Sequence, residues 1–356
     1  MGTHLSNADI AELLRHAGQE ESGHRRRALD RASRAARFWA EEAFDVATGG
    51  RSLTELHGVG PWVGARIHAW LDAPPPVPDA DETRHGFLTY ARVRAVLDGA
   101  PEWEDSPHAD LQVHTTDSDG SVPMRAMVSA ARDRGRAFVA ITDHSQSLRI
   151  ANGMDDARLA LQGLAIDRVN AAFDGQGHAF RVLRSIEMDV FPDGSSDMET
   201  SALEGLDLVL GAFHSRLRTA DDQTERYVAT LRNPDVHVLA HPRARMHGRR
   251  VGLRADWPRV FDEAARTGKA LELDATPSRQ DLDVELAALA MRSGVPWFSI
   301  GSDAHSAPEL EFLPFGMATA VLAGIPRDRV LNYRSVGFVK GWARELRERA
   351  GAAARP

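Results

Sequence analysis

The sequence predicts an α/β protein: a barrel of alternating strands and helices, preceded by a small all-α domain. Three observations carry that expectation. From Asp110 onward, seven short apolar runs recur with helical segments between them. Within the first 72 residues, apolar side chains instead recur at helical spacing. Between the two zones lies a stiff run, Ala73-Pro74-Pro75-Pro76-Val77-Pro78, which favours extended polyproline geometry.

In chain order, Ile10, Leu13 and Leu14, then Ala36, Phe38, Trp39 and Ala43, mark a helical stretch from about Ala8 to Ala47. Gly49-Gly50 breaks it, and Ser52-Leu53-Thr54-Glu55 can cap a new helix. The stretch Leu56-His57-Gly58-Val59-Gly60-Pro61-Trp62-Val63-Gly64-Ala65-Arg66-Ile67 reads as a short helix, a glycine turn and a second helix. The domain plan is therefore a helical domain at 1–72, a Pro-rich linker and connector at 73–107, the barrel at 108–340 and a C-terminal tail at 341–356. One helix is expected in the connector, around Thr89–Leu97.

The barrel strands are read at Leu111–Val113, Phe138–Thr142, Val182–Ile186, Leu206–Phe213, Val236–Ala240, Ala270–Leu273 and Trp297–Ile300. Their nearly continuous apolar character suits parallel strands buried on both faces. Helices are expected at Val122–Arg134, Asp155–Phe173, Asp256–Thr267 and Leu282–Arg292.

Composition narrows the chemistry. Apolar residues make up 43% and charged residues 26%, ordinary for a globular protein. There is no cysteine, so disulfides, zinc ribbons, iron–sulfur clusters and thiol nucleophiles are excluded. No apolar run reaches the ~20 residues of a membrane span, and a cytoplasmic location is the expectation. The net charge of -8 argues weakly against nucleic-acid binding, yet residues 1–72 carry nine Arg against ten Asp and Glu, so the excess acid lies elsewhere. The only lysines are Lys269 and Lys340, so the first 72 residues cannot house a Schiff-base lysine.

The residues just beyond each strand carry the function. His114 comes after the first, with Asp119 five residues on, and Asp143-His144 comes after the second. Glu187 ends the third, with Asp189 beyond it. His214, His241 and Asp303-Ala304-His305 come after the fourth, fifth and seventh. Asp274 after the sixth reads equally as a turn. In barrels of this kind the C-terminal strand ends converge on one rim, so these side chains would meet. His237 and nine other histidines lie away from such positions and read as structural or surface residues. Imidazole and carboxylate donors without sulfur suit zinc, manganese or iron. Five His, two Asp and one Glu exceed the needs of one ion, which implies two or three. Such a centre attracts phosphate and activates hydroxide near neutral pH.

Taken together, Asp110-Leu111-Gln112-Val113-His114-Thr115-Thr116, Ile141-Thr142-Asp143-His144-Ser145, Glu187-Met188-Asp189, His214-Ser215, Ala240-His241-Pro242 and Gly301-Ser302-Asp303-Ala304-His305 resemble the PHP (polymerase and histidinol phosphatase) superfamily over roughly residues 108–335. The variant most similar is the PHP domain of bacterial family X DNA polymerases. The resemblance implies a distorted (β/α)7 barrel with three ions held by Gln112, His114, Asp119, His144, Glu187, His214, His241, Asp303 and His305. Glu187 would bridge two ions, and Glu187, His114 and Asp303 would form the catalytic centre. Gln112 departs from the family's usual His-x-His and is a weaker, neutral ligand.

Arg149, Arg216, Arg243 and Arg279 follow strand-end segments and are candidates to grip phosphate with their guanidinium forks. Leu56–Ile67 is similar to a helix-hairpin-helix motif, in which Gly58, Val59, Gly60 and Gly64 would present the turn to a DNA backbone. The polymerase palm has no room in the connector. The leading expectation is a metal-dependent phosphodiesterase of DNA repair, of 3′–5′ exonuclease or abasic-site endonuclease type. The alternatives are a phosphatase of small phosphorylated molecules, resembling histidinol phosphatase, and a non-catalytic DNA-binding protein. No membrane partner is expected, and oligomeric state is not legible.

Overall fold

The computed structural model describes residues 4–105 and 108–353, which divide into two compact units at Gly99 and Ala100. The residues of the expected connector are thus shared between the units.

The first unit is helical: α1 (Asn7–Gln19), α2 (Gly23–Ala36), α3 (Ala43–Thr48), α4 (Pro61–Asp72) and α5 (Tyr90–Asp98). Ser6 and Asp9 cap α1 reciprocally, each accepting from the other's backbone N–H. Ile10, Leu14, Leu29, Trp39, Val46, Val63 and Ile67 form its core. Before α4 the chain makes only a single 3-10 turn, Leu53–Glu55, and then the glycine turn. At Gly58 the backbone takes φ +80, and an added Cβ would lie 3.2 Å from the Ala35 Cβ of α2. Only glycine suits both demands.

In the second unit, seven parallel strands run in order β1 (Asp110–Val113), β2 (Phe138–Ile141), β3 (Arg181–Asp189), β4 (Leu208–Ala212), β5 (Val238–Leu239), β6 (Ala270–Asp274) and β7 (Trp297–Gly301). A parallel bridge from Val113 to Ala304 brings the first strand against the end of the last, so the barrel is nearly closed. All seven strands and the four helices read from the sequence are present. The helices are α6 (Glu102–Asp105), α7 (Met124–Asp133), α8 (Asp156–Gly175), α9 (Thr200–Leu203), α10 (Thr224–Arg232), α11 (Trp257–Thr267), α12 (Val284–Arg292), α13 (Leu313–Leu322) and α14 (Val336–Ala353).

Alternation along the strands builds two layers. Val139, Ile141 and Val182 face outward onto Met127, Val128 and Ala131 of α7 and Ile166 and Phe173 of α8. Phe138, Ala140, Leu183, Leu208, Leu210, Val238 and Ala270 face inward at the strand starts, where Val339, Trp342, Ala343 and Leu346 of α14 join them. The expected tail therefore carries part of the floor of the barrel. The same alternation that puts Leu183 in this floor puts Glu187, four residues on, inside the opposite end. Among the described residues, no helix is long and apolar enough to cross a membrane.

Candidate metal centre

Glu187 is the hub of the rim. It is buried, and its Oε1 lies 3.2 Å from His214 Nε2 and 2.6 Å from His241 Nε2. Its Oε2 lies 3.3 Å from His114 Nε2 and 3.2 Å from His144 Nδ1. His114 Nε2 is also 3.1 Å from Asp303 Oδ1. Towards the mouth, Asp119 Oδ1 stands 3.6 Å from His144 Nε2 and 3.3 Å from His305 Nε2. Donor atoms thus gather into three sets: His114, Asp119, His144 and His305; His144, Glu187 and His214; His114, Glu187 and Asp303.

These donors fit cations better than they fit each other. His114 Nδ1 and Nε2, His144 Nδ1, His214 Nδ1 and Nε2, His241 Nδ1 and Asp303 Oδ1 are buried without a hydrogen-bond partner, a costly state for the apo protein. The electrostatics agree. Burial disfavours charge on His114, yet Asp303 and Glu187 hold its pKa well above the ordinary imidazole value. Burial likewise opposes charge on His214, but Glu187 and Asp189 lift it to about 9. Burial penalises the Glu187 carboxylate, and the surrounding His144, His241 and His214 nonetheless hold it well below the usual range. His144, penalised mainly by burial, falls to about 3. A cluster that recruits protons to balance buried carboxylates suits divalent ions of the zinc, manganese or iron kind.

Neighbouring groups orient the donors. Asp143 is not in the cluster; it accepts from the Thr115 N–H and hydroxyl, Ser118 Oγ and Gln162 Nε2, and so folds the loop that carries Asp119. Asp189 Oδ1 lies 3.5 Å from His214 Nδ1, a carboxylate backing the imidazole. His305 Nδ1 meets the Asp303 carbonyl at 2.8 Å. His241 and Asp303 take φ +26 and +51, left-handed values for residues with a Cβ, consistent with strain stored at a functional site.

Gln112 faces a residue the strand-end pattern passed over. Its amide nitrogen, in the orientation that satisfies both groups, meets Glu272 Oε1 and Oε2 at 2.6 and 3.0 Å. Burial, then the nearby Asp274, raises the pKa of Glu272 well above the carboxylate range. Gly301 makes this meeting fit: a Cβ there would stand 2.4 Å from Glu272 Oε1 and 2.5 Å from Gln112 Cβ. The signal was present in Ala270-Leu271-Glu272-Leu273, an acid in the middle of a buried strand. Asp274 makes the anticipated turn, accepting from the Thr276 N–H, while its other oxygen lies 3.8 Å from Arg279.

The four candidate phosphate-gripping arginines part company. Arg279 reaches the cluster, 3.3 Å from Asp303 Oδ2. Arg243 is committed to Asp283 Oδ2 at 2.6 Å and to the Val251 carbonyl. Arg216 is exposed, 3.9 Å from Asp221, and Arg149 is exposed on a 3-10 turn. In the helical unit, Gly58 shapes the turn, Val59 is buried, Gly60 is the N-cap of α4 in open space, and Gly64 packs by Val59.

No family model matches the chain. It is 37% identical over 234 residues to the DNA polymerase/3'-5' exonuclease PolX of Bacillus subtilis, covering 65% of this chain and 40% of that protein. It is 28% identical over 233 residues to a probable phosphatase of Tolumonas auensis, covering 63% of this chain and 88% of the relative. These relatives support a PHP domain. The solved histidinol phosphate phosphatase of Lactococcus lactis, with zinc, L-histidinol and phosphate, aligns over 69% of this chain and 95% of that one, at 13% identity and TM-score 0.41. The phosphatase relative and the cluster of His, Asp and Glu donors together support a metal-dependent phosphoester hydrolase.

Proposed function

We propose that the chain hydrolyses phosphodiesters of a DNA backbone, as a 3′–5′ exonuclease or abasic-site endonuclease in DNA repair. Two or three ions would be held by His114, Asp119, His144, Glu187, His214, His241, Asp303 and His305, with the Gln112 carbonyl as a ninth, weaker donor. When bound, divalent ions supply the positive charge and the lowered water pKa that phosphoester hydrolysis needs. Glu187, which belongs to two of the donor sets, would hold neighbouring cations together. His114 and Asp303 complete the inner set, and Arg279 beside Asp303 adds a fixed cation towards which phosphate oxygens can turn. Asp119 and His305, about a third exposed, form the side of the cluster open to substrate.

One observation favours DNA: the turn from Leu56 to Gly60, which delivers α4 with Gly60 at its N-cap and no side-chain cap. The uncapped N–H groups suit a backbone phosphate. The exposed Trp62 beside them lies under Arg25 and Arg66, whose guanidinium carbons are 5.4 and 5.3 Å from the ring centroid. The exonuclease relative points the same way. A second reading, a phosphatase of small molecules, draws on the probable-phosphatase relative, nearly all of whose length is matched.

The test offers metal-loaded protein single-stranded DNA, abasic duplex and small phosphate mono- and diesters. His114→Ala should remove all turnover. Gly58→Asp would strain the turn itself, so Gly60→Asp is the cleaner probe. It sits in open space at φ -91, and Asp is a good N-cap, so the fold is retained while DNA phosphate is repelled. We expect Gly60→Asp to raise KM for DNA and leave small esters unchanged. Unchanged DNA kinetics would remove the hairpin from substrate binding, and turnover confined to small monoesters would favour the second reading.

A further inference from the structure

The loops that leave the barrel strands are unequally charged. Those after β1, β3 and β7 carry Asp117, Asp119, Asp193, Asp197, Glu199 and Glu309. The loop after β5 is dominated by arginine, with five between residues 243 and 254 and no acid, and those after β4 and β6 add Arg216, Arg218 and Arg279 beside four Asp. The basic loops form one knitted surface. Met246 and Arg250 pair as an antiparallel bridge, the His247 N–H donates to the Ser278 carbonyl at 2.8 Å, and Arg245 Nε donates to the Arg279 carbonyl at 3.0 Å. The Gln223 N–H donates to the Arg254 carbonyl at 2.8 Å, which ties in the loop bearing Arg218.

Within this surface the arginines have two kinds of employment. Arg243 and Arg245 both lean on Asp283 Oδ2, at 2.6 and 3.0 Å, and hold the loop in shape. Arg218, Arg249 and Arg250 have no ion pair among the described residues. Arg250 is half-buried and aimed by a bond from Nε to the Ala244 carbonyl at 3.1 Å. The charges that act on it are mainly other cations. Burial, then Arg279, Arg218 and Arg249, push its pKa below the ordinary guanidinium value. Asp281 is the one acid among these influences, and it is buried with its oxygens turned to the N–H groups of Arg243 and Arg245. Cations assembled against their mutual repulsion, one step out from an arginine that touches the metal cluster, fit an anion that arrives with the substrate.

We propose that Arg218, Arg249 and Arg250 form a second phosphate subsite, which holds a phosphate of the substrate other than the one hydrolysed. The proposal rests on the phosphoesterase reading and sharpens it. The preferred substrate carries at least two phosphates on one backbone, and the flanking phosphate leaves the metal cluster over the β4–β6 side. Arg279 touches Asp303 and is also among the charges that act on Arg250.

Two measurements on the full chain test this. In the first, binding of fluorescein-labelled hexathymidylate to metal-free protein is followed by anisotropy across a salt series, so no turnover is needed. Arg218→Ala/Arg249→Ala, and the same double variant with Arg250→Gln added, are set beside Arg168→Ala, an exposed arginine of α8. Removing each charge-assisted hydrogen bond should weaken binding roughly ten-fold. The slope of log affinity against log salt should shrink by about 0.7 for each phosphate that is no longer neutralised. Arg168→Ala should change neither.

In the second, the metal-loaded variants are given p-nitrophenyl phosphate, a nucleoside 3′,5′-bisphosphate and oligothymidylates of two to six residues. KM should rise for every substrate with two phosphates and stay unchanged for p-nitrophenyl phosphate. An effect on the bisphosphate as large as on the oligonucleotides assigns the subsite to small bisphosphates as well; an effect confined to oligonucleotides assigns it to a strand. Binding and KM unchanged in the triple variant overturn the subsite. A wild type that binds hexathymidylate through these arginines yet hydrolyses no phosphoester overturns the enzyme reading and leaves the anion site standing.

Discussion

The floor and the rim of the barrel are built from the same strands and the same inward-facing alternation, yet they are opposite in chemistry. At the floor Leu183, Leu208, Leu210, Val238 and Ala270 meet Trp342 and Leu346 of α14 in an apolar cluster. At the rim the inward positions hold Glu187, Glu272 and Asp274, and the loops just beyond add His214, His241 and Asp303. The floor gains free energy by burial, about 1.5–3 kcal/mol for each fully buried large aliphatic side chain. The rim costs free energy in the absence of cations, because it keeps polar atoms buried and unpartnered. A stable floor is what lets an unstable rim persist.

That contrast can be broken from either end. Leu210→Ala should lower stability by about 2–5 kcal/mol through the cavity it leaves, read by denaturant unfolding, while kcat per folded molecule holds. Glu187→Gln should do the reverse. Turnover should fall roughly a thousandfold or more as the bridge between donor sets is removed, and titration calorimetry should show fewer ions bound, with a melting temperature close to the parent's. If Glu187→Gln unfolds the apo protein, the rim is a structural element and the division fails.

A smaller effect probes the seam between the two layers. Gly301→Ala would press a methyl group onto Glu272 and Gln112, at a cost of about 1–3 kcal/mol. It should disturb ion binding more than overall stability, and equal metal affinity in the variant would show that the Gln112–Glu272 pair does not support the site.

A pH-dependent effect is expected at the floor itself. Lys269, at the start of β6, is buried with its ammonium on the Asn233 carbonyl, and burial lowers its pKa to about 7. The unfolded chain therefore holds the proton up to its ordinary value of 10.5, while the folded chain gives it up from about 7. Stability should rise with pH across that window, with a slope of at most about 1.4 kcal/mol per pH unit. Lys269→Met should flatten the rise and stabilise the protein below pH 7. An unchanged slope would place the titration elsewhere.

Much of the site was legible because position along a strand is a chemical address. His237 and His241 lie in one short run, yet the first precedes β5 and accepts the Val209 N–H at the floor, while the second comes after it and meets Glu187. Chain direction, which puts one before the strand and the other after it, separates them without coordinates. Glu272 was passed over because the strand-end pattern looks beyond the strand rather than within it. Arg243 looked available because its partner, Asp283, lies 40 residues away in sequence. Where the sequence predicts a short helix before the glycine turn, there is a single 3-10 turn, too short for apolar spacing to describe.

Taken alone, the sequence determined the barrel and the His and acid side chains that its rim gathers. Parallel strands bury both faces, and their C-terminal ends must converge wherever their side chains fall in the chain. Only the tertiary structure decided which charges are spent and which are free. Arg243 and Arg245 are neutralised by Asp283, Arg279 is drawn to Asp303, and Gln112 is matched to Glu272. Arg218, Arg249 and Arg250 have no ion pair among the described residues, and Arg218 and Arg249 both act on the charge of Arg250. The rim position of the His and acid side chains follows from chain direction and strand order, which are local; the pairing of charges depends on distances between loops, which are not.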